Sequence, residues 1–439
     1  MKNRFFKYVS QNILAMIGLS LYILADTYFI SKAVGANGIT ALNMALPVYG
    51  VIFALGQMVG SAIRYSIVKE QYRNSNKDGS NECDKYFSGA LFWGLVIGVI
   101  FAVLGLVFPD KIVEIMGGDE TIVAIGVPYF RIFMSFSPFF IFNYTCNAFV
   151  RNDGNPSVSM AATLISSLFN IVFDYILMFP LGMGMPGAAL ATALSPVVGV
   201  MICMIHFLSK KNTVKFKWFK TSLTRLFHCC QVGMSAFVGE MSGAVIVMVF
   251  NFIILRLTGN IGVAAYGVVA NTALVAVAVF NGVALGSQPL ISESYGKHNI
   301  KDIKLIEKLG VATALGLAVI IVMMIWGFTD TIVGVFNSQG SDRLLSLARV
   351  GLRIYFIGFL FAGINIFCSS ALSAIASVKW AFVLSILKGF VVVNVCAAIL
   401  APIFGMNGVW VAFPLSEFIL LIISGFAMKK SIGALESER

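Results

Sequence analysis

The sequence predicts an all-α polytopic membrane protein: twelve transmembrane helices in two pseudo-symmetric six-helix bundles, with both termini in the cytoplasm. Three observations carry this expectation. The 439 residues are 59% hydrophobic and 12% charged, with a mean hydropathy of +0.90, which lies outside the range of soluble globular domains. Apolar runs recur from end to end, each long enough to cross a hydrocarbon core of about 30 Å as a helix. Residues of the first half also return in the second at a nearly constant offset.

In order, the spans read as 11–33, 39–68, 86–108, 122–149, 157–180, 185–208, 226–257, 263–292, 303–327, 343–372, 378–401 and 405–428. The start, MKNRFFKYVSQNILAMIGLSLYIL, has the basic head and apolar run of a signal peptide. That run continues through Asp26 to Lys32 without a small-residue cleavage site, and it has a counterpart later in the chain, so it is read as the first span. Spans two and eight carry the pairs Gly56/Gly60 and Gly282/Gly286, which permit close helix approach and are read as packing. Spans one, two, seven and eight are expected to form the seam between halves. The organisation expected is 1–208 as the first bundle, 209–225 as a cytoplasmic linker and 226–439 as the second bundle. The linker, SKKNTVKFKWFKTSLTR, is basic and aromatic, and it reads as an interfacial helix rather than a lipid-specific site.

Of the 31 Lys and Arg, 22 fall in segments assigned to the cytoplasm, Lys77, Lys220 and Arg439 among them, and seven fall outside. This bias puts both termini inside and requires an even number of spans. It also accounts for the net charge of +11 without nucleic acid as a partner. Four of the seven cysteines, Cys146, Cys203, Cys368 and Cys396, fall in spans and read as small apolar filler. Cys83, Cys229 and Cys230 fall in or beside cytoplasmic segments, where thiols stay reduced. With no C-x-x-C pair, neither a metal cluster nor a cofactor is expected.

The halves read as copies. Gly35 and Gly38 recur at Gly259 and Gly262, Arg131, Asn143 and Cys146 at Arg353, Asn365 and Cys368, and Gly187 and Ser195 at Gly408 and Ser416. Each half holds an even number of spans, so the repeats share one orientation about an axis along the membrane normal.

Four acids fall well inside the spans, away from their ends: Asp26, Asp174, Glu240 and Glu417. A charge at the bilayer centre costs roughly 2.5 to 3.5 kcal/mol, so each is read as protonated, paired or lining a wet cavity. On the fifth span Thr163, Ser167, Asn170 and Asp174 share one helix face, and Thr192 on the sixth adds an oxygen to the same pocket. Asp26 and Asp174 are expected to titrate as a coupled pair near neutral pH, or to hold Na⁺ as a small hard cation. In the second half Glu240 shares a face with Ala236, Gly243 and Asn251, and Glu417 has Lys388 as a structural partner within reach. The repeat counterparts of Asp26 and Asp174 are uncharged, so the first half carries the ionisable pair.

The stretches ADTYFISKAVGANGITALNMALP, RNDGNP, NIVFD, LGMGMPGAALATALS and GSQPLISESYGKHN together resemble the multidrug and toxic compound extrusion (MATE) family over the whole chain. The resemblance implies two bundles around a central cavity and export of cationic, often aromatic, compounds against inward H⁺ or Na⁺. By position it implies that Asp26 is the first-helix acid, Asn170 and Asp174 the fifth-helix pair, Thr192 the sixth-helix hydroxyl, Asn147 (with Asn143 as rival) the fourth-helix amide, and Glu240 the seventh-helix acid. The first-helix proline and the tenth-helix aspartate of some members have no counterpart here.

The expected function is a cation-coupled antiporter in the inner membrane of a prokaryote. It would act as a monomer among membrane lipids and export lipophilic cations by alternating access. The alternative is a flippase for a lipid-linked or endogenous metabolite, which calls for basic cavity residues where the spans hold only Arg64 and Lys388. An intramembrane enzyme would need paired acids, a His-rich metal motif or a nucleophile arrangement, and the three histidines form none.

Overall fold

The structure is a computed structural model that describes residues 1–74, 80–217, 222–336 and 341–437. Lys77, Lys220 and Arg439 of the charge bias, and residues 218–221 of the linker, lie outside the described residues. The helices are α1 (Lys2–Ala33), α2 (Ala36–Val59), α3 (Ile63–Asn74), α4 (Ser80–Val107), α5 (Pro109–Ile115), α6 (Glu120–Ser135), α7 (Ser137–Asn152), α8 (Pro156–Met178) and α9 (Met185–Phe207). They continue as α10 (Leu223–Gly296), α11 (Ile300–Phe336), α12 (Asp342–Tyr355), α13 (Phe359–Ala374), α14 (Val378–Ile386), α15 (Val393–Phe404) and α16 (Met406–Ser437). No strand occurs among the described residues.

Ten of these helices or helix runs are long and apolar enough to cross a membrane, and α6 with α7 forms one more span, bent by 46°. The 74-residue α10 breaks at Gly259 into two span-length pieces, which completes the twelve. The bend between α6 and α7 has a local cause: Pro138 sits in the first turn of α7, where it has no backbone N–H to continue the hydrogen-bond ladder of α6, and the helix breaks just before it, at Phe136.

Repeat symmetry reaches the backbone. Gly35 and Gly259 have φ of 81° and 69°, and Gly184 and Gly405 have 57° and 58°, so corresponding inter-helix turns use the same positive-φ conformation that only glycine adopts readily. An added Cβ at Gly35 or Gly259 would meet nothing within 4 Å, which leaves backbone strain as the only penalty. Gly259→Ala is therefore expected to cost about 1–2 kcal/mol, read as lower thermal stability of the purified protein with transport retained.

The chain divides into two compact units, Leu14–Phe237 and Met1–Ile13 with Val238–Arg439. The first is centred on Ile30, Phe130, Phe133, Phe140 and Ile141, the second on Phe250, Phe280, Phe356, Phe359 and Trp410. Each small-residue pair packs inside its own unit. Gly56 and Gly60 face Tyr144 and Thr145 of α7, while Gly282 and Gly286 receive the start of α1, where an added Cβ would lie 2.5 Å from Ile13 Cα and 2.7 Å from Val9 Cα. Arg4 and Glu293 add a bidentate pair at 2.7 and 3.2 Å, although a pair this exposed contributes little.

The linker departs from the expected interfacial helix, because residues 212–217 are not helical. The reason is a set of side-chain acceptors facing its alternate N–H groups. Thr213 N donates to Asp153 Oδ2 at 2.9 Å, Lys215 N to Asp84 Oδ1 at 2.7 Å and Lys217 N to Ser88 Oγ at 3.0 Å, while Val214 is buried against Tyr65, Phe87 and Phe149. Asp153, from RNDGNP, is the hub. It accepts from Tyr65 Oη at 2.5 Å, from Lys69 Nζ at 2.6 Å and from the Thr213 hydroxyl, and its Oδ2 lies 2.9 Å from His206 Nε2. The Asn155 amide nitrogen, 3.2 Å from His206 Nδ1, makes Nδ1 the acceptor and Nε2–H the donor to Asp153.

Burial alone would raise the Asp153 carboxyl, but the His206 hydrogen bond and the Lys69 charge outweigh it and hold the group well below the usual carboxylate range. Its folded pKa is depressed, so its stabilisation is present above the unfolded value of about 3.9 and is lost only as pH falls through the lower folded value. Throughout the neutral range Asp153 is a fixed anion.

Candidate functional site

The first unit builds its polar centre from α1, α6, α8 and α9. On α8 one face is apolar and exposed, with Ile165, Leu168, Val172 and Ile176 turned outward, while Ser159, Ser167, Asn170 and Asp174 are buried. α8 packs closely on α9, whose buried residues Ala188, Ala189, Ala191 and Ala193 are small and among which Thr192 supplies a hydroxyl. With its amide oriented to serve both neighbours, Asn170 donates to Asp174 Oδ2 at 3.1 Å and accepts from Thr192 N at 3.3 Å.

Asp26 reaches this centre through the register of α1 on α8. Gly18 lies against Leu164, where an added Cβ would sit 2.5 Å from Cδ2, and the Phe29 ring meets Tyr175 at 6.2 Å. Both pairs differ by 146 residues, so the helices run parallel and Asp26 lies level with residue 172, about half a turn from Asp174. The carboxylates are 6% and 0% exposed and interact electrostatically. Each keeps one buried oxygen, Oδ1, without a hydrogen-bond partner among the described residues.

Four tyrosines complete the surroundings. Tyr129 interacts with Asp26, Asp174 and Thr192. Tyr22, one turn before Asp26, shares a 3.1 Å hydrogen bond with Tyr49, which shares another with Tyr144. The i, i+4 spacing of Tyr22 and Asp26 is a readable signal for Tyr22. Tyr129 had none, since only the fold brings span four to span one.

Asn147 stands apart from the carboxylates. It donates to Asn143 O and Oδ1, both at 2.9 Å, and accepts from Ser159 at 3.1 Å. Ser159 precedes Asn170 by eleven residues, about 16 Å along the helix axis. In the second unit Glu240 is exposed and has no hydrogen bond or ion pair among the described residues. Glu417 is buried instead: Asn365 donates to its Oε2 at 2.7 Å, Ser424 braces Asn365 at 2.8 Å, and Lys388 Nζ lies 4.0 Å from Oε1. Lys388 sits in a π-helical turn, Leu387–Val392.

Among the described residues no three His, Cys, Asp or Glu are grouped to hold a metal. Two carboxylates with an amide and a hydroxyl oxygen suit a proton or a monovalent hard cation. Asn170→Ala would leave Asp174 Oδ2 without its donor, an expected loss of about 1–3 kcal/mol, measurable as a lower melting temperature that Thr192→Val, which keeps the backbone N–H that Asn170 accepts from, does not reproduce.

The MatE family model matches residues 12–176 and 236–403. The chain belongs to the MATE family. It is therefore a secondary transporter rather than an enzyme, and a multi-pass protein of the cytoplasmic membrane. The multidrug export protein MepA of Staphylococcus aureus (strain bovine RF122 / ET3-1) is 27% identical over 418 residues, covering 92% of this chain and 88% of that one. MepA of Staphylococcus saprophyticus is 24% identical over 396 residues, covering 89% and 85%. Among solved structures, an outward-facing multidrug resistance MATE transporter of the MOP superfamily superposes with a TM-score of 0.91 at 21% identity, covering 99% of this chain and 96% of that one. A MOP superfamily transporter from Pyrococcus furiosus Vc1 (DSM3638) gives 0.88 at 22% identity, covering 98% and 96%. These likenesses extend the twelve-helix fold over both halves of the MATE chain.

Proposed function

We propose that this MATE transporter exports lipophilic, drug-like cations by alternating access, driven by inward H⁺ or Na⁺, with both termini in the cytoplasm. The observation that carries this reading is the buried pair Asp26 and Asp174, each with an oxygen unpartnered among the described residues and with tyrosine rings beside them. Carboxylates attract a cation, and aromatic faces add cation–π attraction. A proton or Na⁺ entering the same oxygens releases the outgoing cation, so the two cargoes share one site. Asn170 and Thr192 orient Asp174, while Asn147, Glu240 and Glu417 are auxiliary candidates. The relatives named for multidrug export point the same way.

One charge crossing 100 mV is worth about 2.3 kcal/mol. A one-for-one exchange is electrically silent, and two coupling ions per monovalent cargo are not. The test is uptake of tetraphenylphosphonium into proteoliposomes with a pH gradient and a Na⁺ gradient imposed separately. Accumulation driven by either gradient supports the antiporter, and uptake indifferent to both rejects it. The flippase alternative needs phosphate-binding cations in the spans, but Lys388 lies beside Glu417.

A further inference from the structure

The first unit holds a cavity of about 660 Å³ between α4, α7, α9, the start of α10 and the extended linker. Its volume falls in the range of small-ligand sites, and it lies apart from Asp26 and Asp174, neither of which lines it. Its body is apolar, walled by Phe92, Trp93, Phe142, Val200, Met204 and Phe207. Its charged lining is entirely basic: Lys85, Lys215, Lys217 and Arg225. Two acids stand behind these cations. Glu82 pairs with Lys85 at 2.6 Å and with Arg225 at 3.4 Å, and Asp84 pairs with Lys217 at 2.7 Å. Among the described residues, four cations against two carboxylates leave an excess of positive charge, the wrong sign for a cationic drug and the right one for an acid.

The surroundings decide between a soluble anion and a lipid. Leu95, Met204, Leu208 and Phe216 line the cavity and are themselves 43%, 42%, 81% and 51% exposed, so apolar surface adjoins the basic lining as it does at a headgroup–acyl boundary. The Trp93 indole N–H is buried with no acceptor among the described residues. An indole nitrogen only donates, and an ester carbonyl is an acceptor that an amphiphile would bring. The charge bias assigns this side of the protein to the cytoplasm, where basic pockets between helices meet anionic headgroups.

We propose that this cavity binds one anionic phospholipid of the cytoplasmic leaflet. The phosphate sits among Lys215, Lys217 and Arg225, and an acyl chain lies along Phe92, Trp93, Val200 and Met204. Residues 212–217 of the linker form one wall, so the bound lipid holds this stretch in place. The site is independent of the export reading, since it contains none of the residues that reading uses.

The test is native mass spectrometry of the full-length protein in detergent, titrated with phosphatidylglycerol or phosphatidylcholine of identical chains, and with glycerol 3-phosphate as the headgroup alone. Expected is retention of one phosphatidylglycerol per chain at about tenfold lower concentration than phosphatidylcholine, with glycerol 3-phosphate unable to displace it. Replacing the cations by Lys215→Gln, Lys217→Gln and Arg225→Gln together is expected to remove that tenfold preference. Val200→Trp, which fills the cavity and leaves every charge in place, is expected to lose the retained lipid. Equal retention of the two lipids by the unaltered protein would overturn the proposal without any variant. Displacement by glycerol 3-phosphate, or a folded Val200→Trp protein that keeps the preference, would overturn it as well.

Discussion

Asp26→Asn and Asp174→Asn are each expected to abolish export while expression stays normal and thermal stability is unchanged or raised. The function is lost because neutralising a carboxylate removes a charge-assisted contact to the cation, worth about 1.5–3 kcal/mol, or roughly 10- to 100-fold in affinity. It also removes one of the two seats for the coupling ion. The stability is kept because each carboxylate has a buried oxygen with no hydrogen-bond partner among the described residues, and relieving such a charge within the bilayer recovers up to about 3 kcal/mol. Active sites commonly hold this kind of unfavourable group. Efflux of a fluorescent lipophilic cation from cells, together with the melting temperature of the purified variants, checks both halves. Full efflux in either variant would remove that residue from the site, and a large fall in melting temperature would make its role structural.

Asp153→Asn is expected to have the largest effect on stability. The Asp153 side chain is 1% exposed and ties Tyr65, Lys69, His206 and Thr213 together. Removing the charge of a buried, paired group costs about 3–5 kcal/mol because its partners are left uncompensated. Lys69→Met is expected to cost less, since its side chain is 29% exposed and partly solvated. The consequence should be local. The linker loses the anchor of Thr213, so trypsin is expected to cut near Lys210, Lys211 and Lys215 faster in Asp153→Asn than in Lys69→Met, and faster in both than in the unaltered protein. Equal cutting in all three would show that Asp153 does not hold the linker.

The twelve spans and their repeat were legible because lipid forces every span to satisfy its own backbone, which leaves long apolar runs and recurring glycines in the sequence. Gly35 and Gly259 share an unusual φ for the same reason that they share a position. The stripe Asn170 and Asp174 was legible from helical spacing, and Lys388 emerged beside Glu417 as its charge suggested. What depends on contact between distant segments was not legible. Tyr129 reaches the carboxylates only through the packing of span four on span one. The linker reads as an interfacial helix, and only the acceptors Asp153, Asp84 and Ser88, brought in by other parts of the fold, draw its residues 212–217 out of a helix. Asn147 has the composition of a site residue, but its bonds go to Asn143 and Ser159.

The most direct measurement is proton and Na⁺ linkage of cation binding: tetraphenylphosphonium titrated into purified protein in weak buffer, with and without Na⁺, while released protons are counted. Expected is release of protons on binding, or Na⁺ competition with it, and loss of both in the Asp26→Asn/Asp174→Asn double variant. Binding that is insensitive to pH and to Na⁺, or proton release that survives in the double variant, would contradict a shared carboxylate site.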